Sequence, residues 1–236
     1  MTSLLWAVAT HRGRVRHANE DSVHPTTAGS TGERALVMVA DGMGGAVGGE
    51  IASRIAVDTA VGAEGTARDR VAAANLAILA EVGRRPELAG MGTTMTLFEL
   101  RADGPSSFAH VGDSRAYLLH AGDLAQVTVD HTVVNEYLRS GKIRPEDIAS
   151  HPQRSMLTRA LGLVPNVAID SGSIDLIDGD RLLLCSDGVN AMLSDAEIHQ
   201  ALMCETAEEA AWDLVERANR AGGHDNITAL VVDVRR

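Results

Sequence analysis

The sequence predicts an α+β fold built in layers, with an antiparallel β-sandwich at its centre. Two observations support this fold class. Short β-prone segments follow one another between residues 93 and 129, separated by turns such as Ala121-Gly122-Asp123, and this succession is typical of antiparallel strands. Strand-like and helix-like segments also occur in blocks, which favours a layered α+β fold over the strict alternation of a parallel α/β sheet.

The first half of the chain contains two strands, two helices and then a run of strands. Strands are predicted at residues 4–10 and 35–40, and the polar, charged segment 12–21 between them is poor core material. Alanine-rich segments with helical spacing predict helices at 50–61 and 67–82. Four further strands are expected to form one antiparallel meander. They are residues 93–100, 106–111, 115–120 and 124–129.

An irregular region separates this meander from the last elements. Residues 130–162 contain one short predicted helix at 133–139, two prolines and a polar run, and we expect them to form a flap. Ser194 and Thr206 are predicted helix N-caps, because each is followed three residues later by a glutamate, as in a capping box. The remaining strands are expected at 167–174, 181–185 and 227–234, and the remaining helices at 194–204 and 206–220.

Length and composition limit the possible protein classes. The 236 residues contain no linker or low-complexity segment, so we expect one domain, 1–236, with the flap at about 130–162. The net charge of −11 argues against nucleic-acid binding. No apolar stretch reaches the roughly 18 to 20 residues of a membrane helix, and two cysteines give no disulfide framework. We therefore expect a cytoplasmic protein, by default a monomer, that binds neither nucleic acid nor membrane.

Acidic residues recur where β-prone segments end, at Asp41, Asp113, Asp187 and Asp225. The end of a strand determines where a side chain points, and a following glycine leaves its carbonyl reachable. Hard divalent cations bind both kinds of oxygen. Asp-Gly is also ordinary turn chemistry, so each pair alone allows either interpretation. Three of the four carboxylates follow long uncharged β-prone segments, which favours a shared metal site.

Seven sequence motifs occur in the order of one known family. They are Arg16-x-x-Asn19-Glu20-Asp21, Asp41-Gly42-Met43-Gly44-Gly45, Gly92-Thr93-Thr94, His110-Val111-Gly112-Asp113-Ser114-Arg115, Leu157-Thr158-Arg159-Ala160-Leu161-Gly162, Ser186-Asp187-Gly188 and Gly223-His224-Asp225-Asn226-Ile227-Thr228. With these motifs the chain resembles, nearly end to end, the metal-dependent type 2C (PPM) protein phosphatases in their minimal bacterial form. The resemblance implies four αββα layers, with metals in a cleft at one end.

The resemblance also implies a ligand set for two to three Mn²⁺ or Mg²⁺ ions. Asp41 would bridge two metals, and the Gly42 carbonyl would bind one of them. Asp187 and Asp225 would bind the other. Asp113 matches a position that, with Asp187, holds a third and weaker cation in bacterial members.

Three residues of the first motif match catalytic positions of the family. Glu20 matches the acidic residue that orients a metal-bound water, and Asp21 its supporting neighbour. Arg16 matches the arginine that grips phosphate, since a planar guanidinium can bond two phosphoryl oxygens. Asn226 is interpreted either as a support for Asp225 or as a turn residue.

The general acid is left open by the sequence. Animal members of the family carry a histidine where this chain has Met43, and methionine cannot donate a proton. Met43 resembles the bacterial branch, in which a metal-bound water is our hypothesis for the acid. His110 and His131 lie in matching motifs, but such histidines more often pack or donate hydrogen bonds.

These residues predict a phosphoprotein phosphatase acting on phosphoserine and phosphothreonine through a hydroxide that bridges two metals. Its partners would be Ser/Thr kinases and their phosphorylated substrates. A cysteine phosphatase is excluded, because the positions six residues after Cys185 and Cys204 are alanines rather than arginine. Two alternatives stay open: an inactive phosphoprotein-binding regulatory module, and a phosphatase of an anti-sigma antagonist. The intact carboxylates favour the active enzyme, because only metal relieves their mutual repulsion.

Overall fold

A computed structural model describes residues 2–148 and 150–235. Within these ranges the chain forms twelve strands and six α-helices. The strands are β1 Ser3–His11, β2 Asp21–His24, β3 Gly29–Thr31, β4 Arg34–Met43, β5 Gly92–Thr93, β6 Met95–Arg101, β7 Ser106–Val111, β8 Arg115–His120, β9 Asp123–Gln126, β10 Asp170–Ile174, β11 Arg181–Cys185 and β12 Ile227–Arg235. The helices are α1 Gly45–Gly62, α2 Ala67–Arg84, α3 Val133–Arg139, α4 Asp187–Asn190, α5 Asp195–Leu202 and α6 Ala207–Arg220.

The strands form two antiparallel sheets. One sheet has the order β3-β1-β12-β11-β8-β9, and the other has the order β10-β7-β6-β4-β2, with β5 paired to β4. The longest pairing joins β1 and β12 over nine residues, from Ser3 opposite Arg235 to His11 opposite Ile227. The predicted α+β fold around an antiparallel sandwich is confirmed.

The four strands after α2 do not form the predicted single meander, and that prediction is wrong. β6 pairs with β7 in one sheet, whereas β8 pairs with β9 in the other. The chain changes sheets at residues 112–114, where Gly112 has a φ of +113°. The physical reason lies in β8, whose Tyr117 and Leu119 pack against the helical layer that only the other sheet borders. Asp113 therefore lies at the junction of the two sheets.

Buried side chains alternate along the central strands and fill three apolar layers. Val37 of β4 and Val232 of β12 belong to the core between the sheets. Their neighbours point the opposite way, Met38 into the layer under α1 and α2 and Val231 into the layer under α5 and α6. This period of two produces the four layers that the family resemblance implies.

The predicted helix N-caps are confirmed, because their signal lies within a few residues of sequence. Ser194 and Thr206 cap α5 and α6, and each forms a capping box with the glutamate three residues on. β2, β3 and α4 were not predicted, because β2 and β3 lack alternating burial and α4 has only four residues. No helix in the described part of the chain combines the length and the apolar character that crossing a bilayer requires.

Candidate active site

A cleft of about 930 Å³ opens at the end of the sandwich where β4, β7 and β11 finish and β12 begins. Six of the predicted site residues with charged side chains line it: Arg16, Glu20, Asp41, Asp113, Asp187 and Asp225. Gly42 and Met43 also line the cleft. Asp21 lies behind the wall, partly buried and outside the cleft lining. The folded chain therefore gathers residues that are up to 209 positions apart in sequence, as between Arg16 and Asp225.

The threonines of the Gly92-Thr93-Thr94 motif hold Asp41 in place. The backbone N–H of Asp41 donates to Thr94 Oγ1 at 2.9 Å, and its carbonyl accepts from the Thr94 N–H at 2.9 Å and from Thr93 Oγ1 at 2.8 Å. Thr94 Oγ1 also lies 2.7 Å from Ser114 Oγ, beside Asp113. This network links the strand that carries Asp41 to the junction that carries Asp113.

Two glycines allow the backbones around the carboxylates to approach closely. A Cβ on Gly42 would lie 2.1 Å from the Gly49 carbonyl oxygen, so only glycine lets α1 pass at this point. A Cβ on Gly188 would lie 1.9 Å from the Asn226 carbonyl oxygen. The turns after β11 and before β12 therefore touch, and this contact brings Asp187 and Asp225 to the same wall of the cleft.

Burial and mutual repulsion raise the pKa values of the gathered carboxylic acids. Burial is the largest cause in each case, and neighbouring carboxylates add to it. The pKa of Asp41 rises well above its usual range, that of Asp113 to about 8, that of Asp187 to about 6 and that of Asp21 to about 7. At neutral pH these groups resist carrying their full negative charge together. A cation in the cleft would favour the ionised forms.

The donor atoms of the cleft fit hard divalent cations. Asp187 Oδ1 is buried without a hydrogen-bond partner, as is Asp21 Oδ1 behind it. Carboxylate, carbonyl and water oxygens are the ligands that suit Mg²⁺ and Mn²⁺. Among the described residues, no three His, Cys, Asp or Glu side chains converge closely enough to hold one ion by themselves. That spacing suits an ion such as Mg²⁺, which keeps several waters and takes one or two carboxylates from the protein.

The side chain of Asn226 holds the loop that carries Arg16 and Glu20. Its Oδ1 accepts from the Glu20 N–H at 2.7 Å, and its Nδ2 donates to the carbonyls of Arg12 at 3.0 Å and Ala18 at 2.8 Å. Its backbone N–H also donates to Asp225 Oδ1 at 2.8 Å. The backbone of Asn226 thus contacts Asp225, whereas its side chain braces the loop, a role that neither of the two interpretations from the sequence included.

Arg16, Glu20 and Asp21 have different environments. Arg16 Nη2 lies 2.7 Å from Asp225 Oδ2, and its side chain is half-exposed to the cleft. Burial raises the pKa of Glu20, and the nearby Arg16 opposes that rise. Asp21 Oδ2 accepts hydrogen bonds from Ser186 Oγ at 2.7 Å and Thr228 Oγ1 at 2.6 Å. Asp21 thus ties β2 to the two strands that present Asp187 and Asp225.

His110 and His131 lie outside the cleft lining. His110 is buried between Thr96 Oγ1 at 2.9 Å and the Val129 carbonyl at 3.2 Å, and burial lowers its pKa to about 3. His131 Nδ1 accepts from the Gly112 N–H at 3.0 Å. These contacts are those of structural histidines. Arg159 of the flap also lines the cleft, although its place in a motif was the only sign of a role.

Comparison with known proteins places these features in a family. The model of the family described as protein phosphatase 2C matches residues 9–213. The serine/threonine protein phosphatase PstP of Mycobacterium tuberculosis is 42% identical over 98% of this chain, which spans only 45% of that relative's length. The serine/threonine phosphatase stp of Listeria monocytogenes is 38% identical, and the match covers 95% of this chain and 93% of that protein.

Solved structures agree with the sequence comparison. The crystal structure of the Mycobacterium tuberculosis phosphatase PstP/Ppp superposes with a TM-score of 0.88 at 38% identity, covering 99% of this chain and 100% of the other. The catalytic domain of PstP in complex with two manganese ions gives a TM-score of 0.86 at 37% identity, with 100% of both chains covered.

Proposed function

The chain belongs to the protein phosphatase 2C family, and from that membership we propose that it hydrolyses phosphoserine and phosphothreonine in proteins. The resemblance inferred from the seven motifs is thereby confirmed. Mn²⁺ or Mg²⁺ ions, two to three in number, are the proposed cofactors. Residues 1–236 would act as one catalytic domain, with residues 130–162 as the flap over its cleft. Ser/Thr kinases and their phosphorylated substrates are the proposed partners.

One observation carries the proposal. Five carboxylates line a single cleft in which burial and repulsion raise the pKa values of Asp41, Asp113 and Asp187. An inactive binding module would gain nothing from this unfavourable arrangement, whereas a metal-dependent hydrolase requires it.

The chain's own residues have separate tasks in the proposed reaction. Asp41, the Gly42 carbonyl, Asp187 and Asp225 would hold two ions, and Asp113 with Asp187 would hold a third. When bound, these ions make an acidic cleft attractive to phosphate and lower the pKa of water to near neutrality.

Arg16 would bind the substrate phosphoryl group. Its guanidinium now pairs with Asp225, and a half-exposed side chain can turn from that carboxylate to two phosphoryl oxygens. Glu20 would orient the attacking water by accepting its hydrogen bond, and the raised pKa of its carboxyl makes it a better acceptor. Asp21 would act indirectly, by holding β2 in place through hydrogen bonds from Ser186 and Thr228.

Phosphate release from a phosphothreonine peptide tests the proposal. The wild-type chain should turn over with Mn²⁺ or Mg²⁺ and stop in excess chelator. Asp41→Asn should lower kcat/KM by roughly 10²- to 10⁴-fold, in line with the several kcal/mol that metal ions supply to a transition state. Asp175→Asn, on an exposed carboxylate outside the cleft, is the matched control and should retain wild-type activity. Turnover that persists in chelator would overturn the mechanism.

A further inference from the structure

We propose that Met43, Leu163 and Val164 form an apolar subsite for a large aliphatic side chain next to the phosphorylated residue of a protein substrate. The inference rests on the proposed phosphatase function and adds a sequence preference to it. All three residues belong to the cleft lining but lie outside the carboxylate cluster.

The cleft is larger than one phosphorylated side chain requires. Its volume of about 930 Å³ lies near the upper end of the roughly 300 to 1,000 Å³ that ligand sites occupy. A phosphoserine at the carboxylates would leave most of this space unfilled. The neighbouring residues of a substrate are the natural occupants of the remainder.

The apolar wall is continuous with the carboxylate cluster. A Cβ on Gly92 would lie 3.0 Å from Met43 Cε and 3.5 Å from Leu163 Cδ2, so both side-chain tips border the bare Gly92 backbone. Met43 follows Asp41 by two residues on β4, a separation of about 7 Å along a strand. A residue one or two positions from the phosphorylated one can span that distance in an extended peptide.

Leu163 and Val164 are exposed although their backbone is firmly held. They are 48% and 49% exposed. The Asn75 side chain, 1% exposed, accepts from the Gly162 N–H at 2.8 Å and donates to the Val164 carbonyl at 2.9 Å.

A second anchor lies just before this segment. The N–H of Leu161 donates to the Thr93 carbonyl at 2.9 Å, and the N–H of Thr93 donates to the Leu161 carbonyl at 3.2 Å. A preformed apolar surface gains affinity because little backbone order is lost on binding. Such a surface beside the cleft favours an aliphatic substrate side chain over a polar one.

The test uses phosphothreonine peptides in which a single leucine is moved through the three positions on each side of the phosphothreonine, with serine elsewhere. In the wild-type chain with Mn²⁺, leucine at one of the adjacent positions should raise kcat/KM by roughly tenfold over the leucine-free peptide, as apolar pockets discriminate by 10- to 200-fold. In the double variant Leu163→Ser/Val164→Ser that ratio should fall to near one.

Two variants serve as controls. Leu163→Met preserves side-chain volume and should keep the leucine preference. Leu76→Ser makes the same chemical change on α2, at a leucine that is 57% exposed and outside the cleft lining, and it should also keep the preference. The inference is wrong if no leucine position changes kcat/KM by more than about twofold, or if the double variant keeps the preference. Failure of the proposed function would differ, because the leucine-free peptide would then release no phosphate either.

Discussion

Two clusters of largely buried charge lie at opposite ends of the same strand pair, β11 and β12, and the protein's own groups fully compensate only one of them. At one end Arg181 Nε and Nη2 bond the two oxygens of Asp233 at 2.5 and 3.0 Å. Arg181 Nη1 also donates to the carbonyls of Leu202 and Cys204 at 2.6 and 2.7 Å. At the other end Asp187 keeps a buried oxygen without any partner.

The difference separates charge that stabilises the fold from charge that we propose binds metal. A buried ion pair whose donors and acceptors are all used fastens α5 and the following turn to the sheet. A buried carboxylate cluster that the protein's own groups neutralise only in part opposes folding until cations bind. Removing a partner from the Arg181–Asp233 pair should therefore destabilise the fold. Adding a cation to the carboxylate cluster should stabilise it.

The largest expected effect is at the compensated end. Arg181→Met should lower the free energy of unfolding by about 3 to 5 kcal/mol, because Asp233 would keep a buried charge without its main partner. Urea denaturation measures this loss. The matched control is Arg235→Met, because Arg235 lies 3.2 Å from the same carboxylate but is 53% exposed, and it should cost less than about 1 kcal/mol. Equal losses for the two variants would contradict the comparison.

Adding metal to the carboxylate cluster should have the next largest effect on stability. Free Mn²⁺ at a hundredfold excess over its Kd should stabilise the wild-type chain by about 2.7 kcal/mol, since only the folded state presents the ligands together. Asp187→Asn should lose most of this gain, whereas Asp175→Asn should retain it. Thermal unfolding with Mn²⁺ or with chelator is the measurement. An unchanged gain in Asp187→Asn would remove that residue from the ligand set.

The stability of the metal-free chain should depend on pH because of the same carboxylate cluster. The pKa of Asp113 is about 8 in the folded chain against an ordinary 3.8, so between these values the folded state keeps a proton that the unfolded state has lost. Stability should therefore fall as pH rises through this window, by at most about 1.4 kcal/mol per pH unit for this group. Asp113→Asn should flatten the slope in denaturation series between pH 5 and 8, run with chelator. A slope as steep as that of the wild type would exclude Asp113 as its source.

The smallest effect sets the scale for exposed charge. Arg220 and Glu216 form an i,i+4 pair on α6 at 2.6 Å, with side chains 69% and 61% exposed. Glu216→Gln should change the free energy of unfolding by no more than about 0.5 kcal/mol, because solvent and salt screen such pairs. The same urea series measures it. A loss above 1 kcal/mol would mean that burial is not what makes the Arg181–Asp233 pair matter more to stability than an exposed pair.

Much of the site could be predicted because its residues lie at strand ends with recognisable neighbours. Asp41 and Asp187 follow β-prone segments and precede glycine, and these signals are local. The structure places both on the cleft, although the roles given to them stay proposals. The fold class followed from similarly local patterns of strands and helices.

What could not be predicted depends on the path of the chain. Asn226 bonds backbone atoms that are 206 to 214 positions away, and Asn75 reaches Gly162 across 87 positions. Nothing in the neighbouring sequence marks such partners, because they are set by which strands become neighbours. The failed meander has the same origin, since only the packing of β8 against distant helices shows that the chain changes sheets.

The origin of the acidic side chains in two different sheets has a consequence for biogenesis. Asp41 belongs to the sheet of β4, whereas Asp187 and Asp225 flank strands of the other sheet. A half-formed intermediate with only one sheet would therefore offer an incomplete set of donors. Strong cation binding would begin only when the two sheets dock. Divalent ions would therefore stabilise the assembled sandwich and not the partly folded chain.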